Sequence, residues 1–283
     1  MLESVIRTLR RPRVRNRVVP LLRRLGLLGV AFRRYEIVRA RQAAESNTTT
    51  WPDHDNGLPL PPAELRALVS GAPDPGWFLA FGRAMFDTIA TTAARHGSPI
   101  SQMHRVLEFG CGSGRVLRHW QNVRGPELHG TDYNPALAAW CEANLPFATI
   151  GRNQLDPPLA YADASFDLVY AISVFTHLKE SLQHAWMAEL RRVLVPGGLL
   201  IMTTHGSSLR QILTAEECAA FDAGALVVRY EETSGMNLCS AYHPESFVRD
   251  TLASGFLVRE LIASGQRELI GQDVYVLEKL PPA

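Results

Sequence analysis

The sequence predicts an α/β fold built on a mostly parallel, doubly wound sheet, and three observations carry that prediction. From Arg105 onward, short apolar runs alternate with helical patterns, the alternation that parallel strands joined by crossover helices require. Arg105-Val106-Leu107-Glu108-Phe109 runs directly into Gly110-Cys111-Gly112-Ser113-Gly114, an apolar strand entering a glycine turn before a helix. The last two apolar runs, Phe256 to Ala263 and Asp273 to Leu280, are linked by nine residues. That link is too short for a right-handed crossover helix, so this pair is antiparallel.

At 283 residues the chain can bury one full α/β core and an appendage. The appendage comes first. Residues 1–45 hold twelve arginines against Glu3, Glu36 and Glu45, a net charge of +9. The whole chain carries +1, which leaves about −8 on the remainder. Leu21, Leu22, Leu25, Leu28 and Phe32 recur at helical spacing among Arg23, Arg24, Arg33 and Arg34. Such a helix either packs its apolar stripe on its own domain or lies on an anionic membrane surface. Arginine-rich, acid-poor starts also resemble organelle transit peptides. Residues 46–62 are polar and then proline-rich, a linker. The division is therefore a basic helical extension with its linker, 1–62, and a main domain, 63–283.

Pro61-Pro62-Ala63-Glu64-Leu65 opens a short helix, with proline tolerated in a first turn. Trp77 to His96 repeats Phe78, Phe81, Met85, Ile89 and Ala93 at three- and four-residue steps, a long helix that Gly97-Ser98-Pro99 stops. Strands are expected at 105–109, 127–132, about 147–151, 166–172 and 198–204. Helices are expected from Gly114 to about Asn122, from Pro135 to Asn144 and from Glu180 to Leu194. Arg152 to Ser165 leaves little room for a crossover helix. Residues 207–243 are an insertion with a helix at Thr214 to Phe221 and a hairpin from Leu226–Glu231 and Met236–Ser240. A helix from about Pro244 to Ala253 precedes the closing strands.

Composition narrows the function. It is 46% hydrophobic and 20% charged, ordinary for a globular protein. Cys111, Cys141, Cys218 and Cys239 form no C-x-x-C or zinc spacing, so reduced thiols in a cytoplasm are expected and no metal. The longest uncharged run near the start, Leu25 to Phe32, is too short to span a bilayer, and no signal-peptide pattern appears. Phe32 and Tyr35 are the only aromatics in the basic segment. With no recognised nucleic-acid module, no nucleic-acid partner is expected.

The glycine turn is the centre of the functional reading. Gly110, Gly112 and Gly114 let the chain turn sharply and let a ligand approach bare backbone. Dinucleotide enzymes use G-x-G-x-x-G, but here the third glycine comes one residue early and Arg115 holds that place. Glu108-Phe109-Gly110-Cys111-Gly112-Ser113-Gly114 instead resembles motif I of the class I S-adenosylmethionine methyltransferases. Asp132 ends the next strand, 22 positions after Gly110, where a carboxylate can accept two ribose hydroxyls. It could also cap the Pro135 helix, although Asn134 is better placed for that. Phe166-Asp167-Leu168-Val169 and Leu194-Val195-Pro196-Gly197-Gly198 resemble two further signatures of that family, and the resemblance covers roughly 100–280. It implies a Rossmann-like seven-stranded methyltransferase sheet and S-adenosyl-L-methionine as cofactor. It further implies Glu108, Gly110, Cys111, Gly112, Gly114, Asp132, Tyr133 and Asn153 as cofactor-binding residues, with Gln154 the alternative to Asn153 facing the adenine amino group. In this family a helix before motif I often covers the cofactor, which would let Arg83 meet a carboxylate.

Methyl transfer to an aliphatic hydroxyl requires a base. Three histidines fall at the carboxyl edge of the sheet, where ligands of open α/β sheets bind. His205 is the favoured base, followed by His177 and His243. Gln266, Arg267, Gln272 and Asp273 flank the last hairpin and would contact an acceptor. Phe175-Thr176-His177-Leu178 and Gly271-Gln272-Asp273-Val274-Tyr275-Val276-Leu277 resemble bacterial methyltransferases found beside glycosyltransferases, which implies a sugar or glycolipid acceptor. Two other classes stay open: a nicotinamide-dependent oxidoreductase, and a non-catalytic subunit of the same fold. The expected partner is a small-molecule or glycan acceptor. The expected place is the cytoplasm, with contact at the inner membrane face through residues 1–45 as the alternative to free solution.

Overall fold

A computed structural model describes residues 12–46, 54–263 and 271–281. Two helices lead, α1 (Pro12–Arg24) and α2 (Leu28–Ser46), then a small hairpin of β1 (His54–Asp55) and β2 (Leu58–Pro59). Next come α3 (Ala63–Ser70) and α4 (Pro75–Arg95). The main body alternates as β3 (Arg105–Phe109), β4 (Glu127–Asp132), α5 (Pro135–Asn144), β5 (Ala148–Arg152), β6 (Phe166–Ala171), α6 (Glu180–Val193) and β7 (Leu194–Thr204). The insertion carries α7 (Ala215–Asp222), β8 (Val227–Arg229) and β9 (Ser240–Tyr242). β10 (Phe256–Ile262) and β11 (Asp273–Lys279) close the chain.

Seven strands form one sheet in the order β10-β11-β7-β6-β3-β4-β5. β3 is parallel to β4 on one side and to β6 on the other, and β11 is antiparallel to both β7 and β10. The chain reverses its direction of travel across the sheet at β3 and β6. The crevice outside their carboxyl ends is where such a sheet holds a ligand. The central strands are apolar on successive residues because both faces are covered. Val106, Leu168 and Ile201 face Phe81, Met85 and Ile89 of α4, whereas Leu107, Val169 and Leu200 face Trp186 and Leu190 of α6. Pro75 sits in the first turn of α4, and the Asp74 carboxylate accepts from Trp77 N at 2.6 Å.

Four local expectations change. The helix expected from Gly114 to Asn122 is a run of turns ending in a 3₁₀ turn at Leu117–Trp120. Its Arg118 is buried and donates to the carbonyls of Leu58 and Pro59 at 3.2 and 3.3 Å, so the segment is tied to the β1–β2 hairpin. Trp120 stacks on Tyr170 beneath it, with ring centroids 5.7 Å apart. β7 begins at Leu194 rather than Gly198. Leu194 pairs with Phe166 and Leu199 with Leu168, so Pro196-Gly197-Gly198 forms an irregularity inside the strand. The second strand of the insertion hairpin is Ser240–Tyr242, and residues 236–239 are the loop before it. The helix after Pro244 is α-helical only at Glu245–Phe247 and then widens into a π-helical turn at Val248–Leu252.

The apolar stripe of the extension divides. Leu28 is buried and Leu22 and Phe32 are half-buried, but Leu21 and Leu25 are exposed. α2 packs on α3 and is pinned to the insertion. Asn237 Nδ2 donates to Glu36 Oε1 and to the Leu68 carbonyl, each at 2.9 Å. No described helix is long and apolar enough to cross a membrane.

Candidate active site

At the carboxyl ends of β3, β4 and β6 lies a cavity of about 130 Å³ lined by Glu108, Gly110, Gly112, Asp132, Asn153 and His177 among others. Gly110 and Gly112 have φ of +76° and +55°, a left-handed region that a side chain disfavours. The turn is held by the neighbouring strand. The Gly110 and Cys111 N–H groups donate to the Thr131 carbonyl, and Gly112 N donates to Asp132 Oδ2 at 2.9 Å. Asn134 N donates to the other Asp132 oxygen at 2.8 Å. Burial pushes the Asp132 carboxyl up to about 6, opposed by those two N–H donors. The helix-capping role falls to Asn134, whose side chain accepts from Ala136 N at 3.0 Å.

Glu108 is buried beside the turn, and Tyr170 OH donates to its Oε2 at 3.1 Å. Burial raises its carboxyl to about 8, with Tyr170 and Arg115 pulling the other way. Arg115 is 5% exposed, and its guanidinium lies 4.1 Å from the Phe81 ring centroid and 5.4 Å from that of Trp77. Burial draws its pKa down to about 10, which leaves it charged at neutral pH. Its Nε has no hydrogen-bond partner among the described residues. Asn153 Nδ2 donates to the Gln154 carbonyl at 2.7 Å, while its Oδ1 is buried and unpartnered. Tyr133 forms a wall rather than a free face, its OH donating to the Gly235 carbonyl at 2.5 Å.

Of the glycine-motif residues, Cys111 lines the cavity whereas Gly114 does other work. Gly114 does not line the cavity, and a Cβ there would lie 2.5 Å from Leu145 Cδ1, so it serves close packing. The Cys111 thiol is buried against Cys141, whose thiol together with burial raises its pKa well above the ordinary value. Arg83 leaves the site altogether. Its side chain is 62% exposed and paired with Asp87 at 3.0 Å. The motif itself supplies Arg115 as a cation in the cavity wall, and its place in the dinucleotide pattern marked it without showing that it turns inward.

The wall also contains residues that local sequence patterns miss. Arg33 and Glu36 come from α2, Leu68 and Val69 from α3, and Gly235 to Asn237 from the insertion. Val69 lies against the glycine turn, where a Cβ on Gly112 would meet its Cγ2 at 2.7 Å. The expected open approach to bare backbone is therefore partly taken by the protein's own roof, and the cavity persists beneath it.

The three histidines have different fates. His177 lines the cavity, and its Nδ1 lies 2.7 Å from the Cys239 carbonyl oxygen. That bond makes Nδ1 the donor and leaves Nε2 as the basic nitrogen. Burial holds its pKa below the ordinary 6.5. His205 is neighbouring, with ring centroids 6.2 Å apart, but it is not part of the cavity lining. Its Nε2 faces Gln272 Nε2 at 3.4 Å, and burial draws it down to about 4. His243 is buried with Nε2 3.0 Å from Gln183 Oε1 and a pKa drawn down by burial to about 3, a structural histidine. Ser173, at φ +59°, donates from Oγ to Gln272 Oε1 at 3.1 Å. Asp273 fills the space under Gly206, where a Cβ would fall 1.7 Å from Oδ2. Gln266 and Arg267 lie outside the described residues.

These groups fit an adenosyl amino acid. Asp132 keeps lone pairs for vicinal hydroxyls, the orphaned Asn153 oxygen suits an exocyclic amine, and the Glu108 carboxyl with the Arg115 guanidinium offers an acceptor and a cation to an amino-acid end. Residues 107–202 match the family model described as a methyltransferase domain. Over 154 residues the chain is 36% identical to malonyl-[acyl-carrier protein] O-methyltransferase of Enterobacter lignolyticus, covering 51% of this chain and 56% of that one. It is also 33% identical over 106 residues to a putative methyltransferase of Encephalitozoon cuniculi, 37% of this chain and 47% of the other. The chain thus spans about half the length of the curated relatives it matches. Among solved structures, an S-adenosylmethionine-dependent methyltransferase from Mesorhizobium loti superposes with a TM-score of 0.53 at 16% identity, over 66% of this chain and 96% of that one. The PH0226 protein of Pyrococcus horikoshii gives 0.51 at 16% identity, over 70% and 91%.

The fold is that of the class I methyltransferases, a seven-stranded sheet with a helical N-terminal extension. The matched family model is a methyltransferase domain, and the Mesorhizobium loti neighbour is dependent on S-adenosylmethionine.

Proposed function

We propose that the protein transfers a methyl group from S-adenosyl-L-methionine to an acceptor hydroxyl, with His177 as the base. The observation that carries this reading is the Cys239 carbonyl 2.7 Å from His177 Nδ1, which reserves Nε2 for a proton from the cavity side. S-adenosyl-L-methionine supplies an electrophilic methyl group on a sulfonium. Asp132 and Asn153 hold the nucleoside end, and Glu108 and Arg115 the amino-acid end. A neutral imidazole can accept the acceptor's proton as the oxygen is alkylated. The sugar or glycolipid hydroxyl implied by residues 175–178 and 271–277 is the acceptor class we favour. The malonyl-[acyl-carrier protein] relative alkylates oxygen too, but a carboxylate acceptor is already ionised and needs no base.

The test is single-turnover methyl transfer from labelled S-adenosyl-L-methionine to glycoside and to carrier-bound carboxylate acceptors. His177→Ala should lower turnover on the hydroxyl acceptor ~10²–10⁴-fold with cofactor affinity retained. The wild-type acid limb should lie below 6.5, since the base is active when neutral and its pKa is depressed. Transfer only to carboxylates, undiminished in His177→Ala, would refute the hydroxyl reading.

A further inference from the structure

The bend between α1 and α2 has a feature that the cavity does not explain. Gly26, at φ +67°, turns the chain between the two helices. Around it Leu21, Leu25, Leu27 and Val30 are 55%, 58%, 48% and 69% exposed. Among the described residues these are four of the eight large apolar side chains that are exposed, and all four fall within ten residues. Scattered exposed leucines need no explanation, whereas a cluster marks an interaction surface. Leu28, between them, is buried and anchors the elbow to the body.

Charge identifies the occupant. Arg24 and Arg34 flank the apolar cluster, are exposed, and have no ion-pair partner among the described residues. Arg23 is held by Glu232 at 2.5 Å. Residues 1–45 carry +9 while the rest of the chain carries about −8. An anionic surface would attract the elbow and repel the body, which orients the molecule as well as binding it. The hollow beside the elbow is lined by Gly26, Leu28 and Gly29 with Tyr230, and the carboxylates in its wall, Glu231 and Glu232, lie on the side of Arg23, which Glu232 pairs. The exposed leucines stand outside it, so they offer protruding side chains rather than a groove for a partner helix.

We infer that the α1–α2 elbow docks the protein on an anionic lipid surface, with Leu21, Leu25, Leu27 and Val30 entering the acyl boundary and Arg24 and Arg34 meeting lipid phosphates. From Val30, α2 continues to Arg33 and Glu36 in the cavity wall, about 5–9 Å along the helix axis at 1.5 Å per residue. Docking therefore brings the roof of the cavity to the membrane interface, where an amphiphilic acceptor partitions.

The experiment is sedimentation of the full chain with phosphatidylcholine vesicles and with vesicles that also contain phosphatidylglycerol. Binding is expected only to the anionic vesicles and is expected to weaken as salt is raised. Leu21→Ser, Leu25→Ser, Leu27→Ser and Val30→Ser combined should lower the partition coefficient at least ~10-fold, with an unchanged circular dichroism melt as the folding control. Leu25→Trp gives a second readout that needs no destabilised variant. Its added fluorescence should shift to the blue on anionic vesicles and be quenched by brominated acyl chains, relative to wild type. No sedimentation, or sedimentation untouched by the serine variant with a silent Leu25→Trp, would overturn the inference. A concentration-dependent dimer that the serine variant abolishes would overturn it as well, by giving the elbow to a second copy of the chain.

Discussion

Asp132 and Glu108 are both buried carboxyls beside the glycine turn, and their environments set different tasks. Asp132 has one backbone N–H on each oxygen, which fixes its plane and leaves the remaining lone pairs for a ligand. Asp132→Ala should weaken S-adenosyl-L-methionine binding at least tenfold, through lost charged hydrogen bonds worth ~1.5–3 kcal/mol. Titration calorimetry reads this directly, and unchanged affinity would remove the ribose assignment. Glu108 is protonated in the free protein up to about 8. A cationic ammonium beside it favours the carboxylate, so binding should expel a proton at neutral pH. Affinity should then rise with pH until about 8 and level off, with Asp132 adding a further loss below about 6. Calorimetry in two buffers of different ionisation enthalpy measures the proton, and Glu108→Gln should flatten the upper limb. The stability of the free protein runs in the opposite sense. A raised carboxyl pKa contributes stability fully below the unfolded value of 4.5, and that contribution is lost as pH rises through about 8. A pH-independent affinity across this range would show that Glu108 does not meet the ammonium.

Elements differ in how openly the sequence announces them. β3 and β6 were legible because strands covered on both faces read as short, largely apolar runs, and α4 because its buried face repeats at helical steps. The glycine turn and Asp132 were legible because their chemistry is confined to a short stretch of chain. The helix after Gly114 was not, because the force that opposes it is remote. Arg118 is held by Leu58 and Pro59, about sixty residues earlier, and no local window contains that contact. The choice among the histidines was hidden for a similar reason. The Cys239 carbonyl and the Gln272 amide decide which ring nitrogen is free, and neither is near its histidine in the chain. The packing of α4 on the turn gives an element-scale prediction. A Cβ on Gly82 would lie 2.0 Å from the Arg115 carbonyl oxygen, so Gly82→Ala must push α4 away from the turn. Overpacking of this kind costs ~1–3 kcal/mol of stability. It should also weaken cofactor binding, since Arg115 rides on Phe81 and Trp77 of the same helix. Urea denaturation and cofactor titration of the variant check both effects, and a variant as stable as wild type would mean that the approach is relaxed without cost.

At the scale of the molecule, the cavity joins parts of the chain that the sequence separates. Its floor is the β3 turn and the end of β4, its roof is α2 and α3, and its side is the loop at residues 235–237. The roof is fastened to the side through Asn237, which donates to Glu36 and to the Leu68 carbonyl at once. A ligand that touches floor and roof together therefore stabilises the basic extension along with the sheet. A ligand at a hundredfold excess over its dissociation constant adds ~2.7 kcal/mol to the folded state, and the gain is shared by every element whose opening breaks the site. Hydrogen exchange with S-adenosylhomocysteine present should therefore slow the amides of α2, α3 and residues 235–237, in addition to those of the β3 turn. Asn237→Ala should keep the slowing at the turn and lose it in α2, because the floor binds the ligand while the fastening is gone. If α2 exchanges at the same rate with and without ligand, the extension is a bystander to the cavity. Any membrane contact it makes would then be unconnected to the chemistry beneath it.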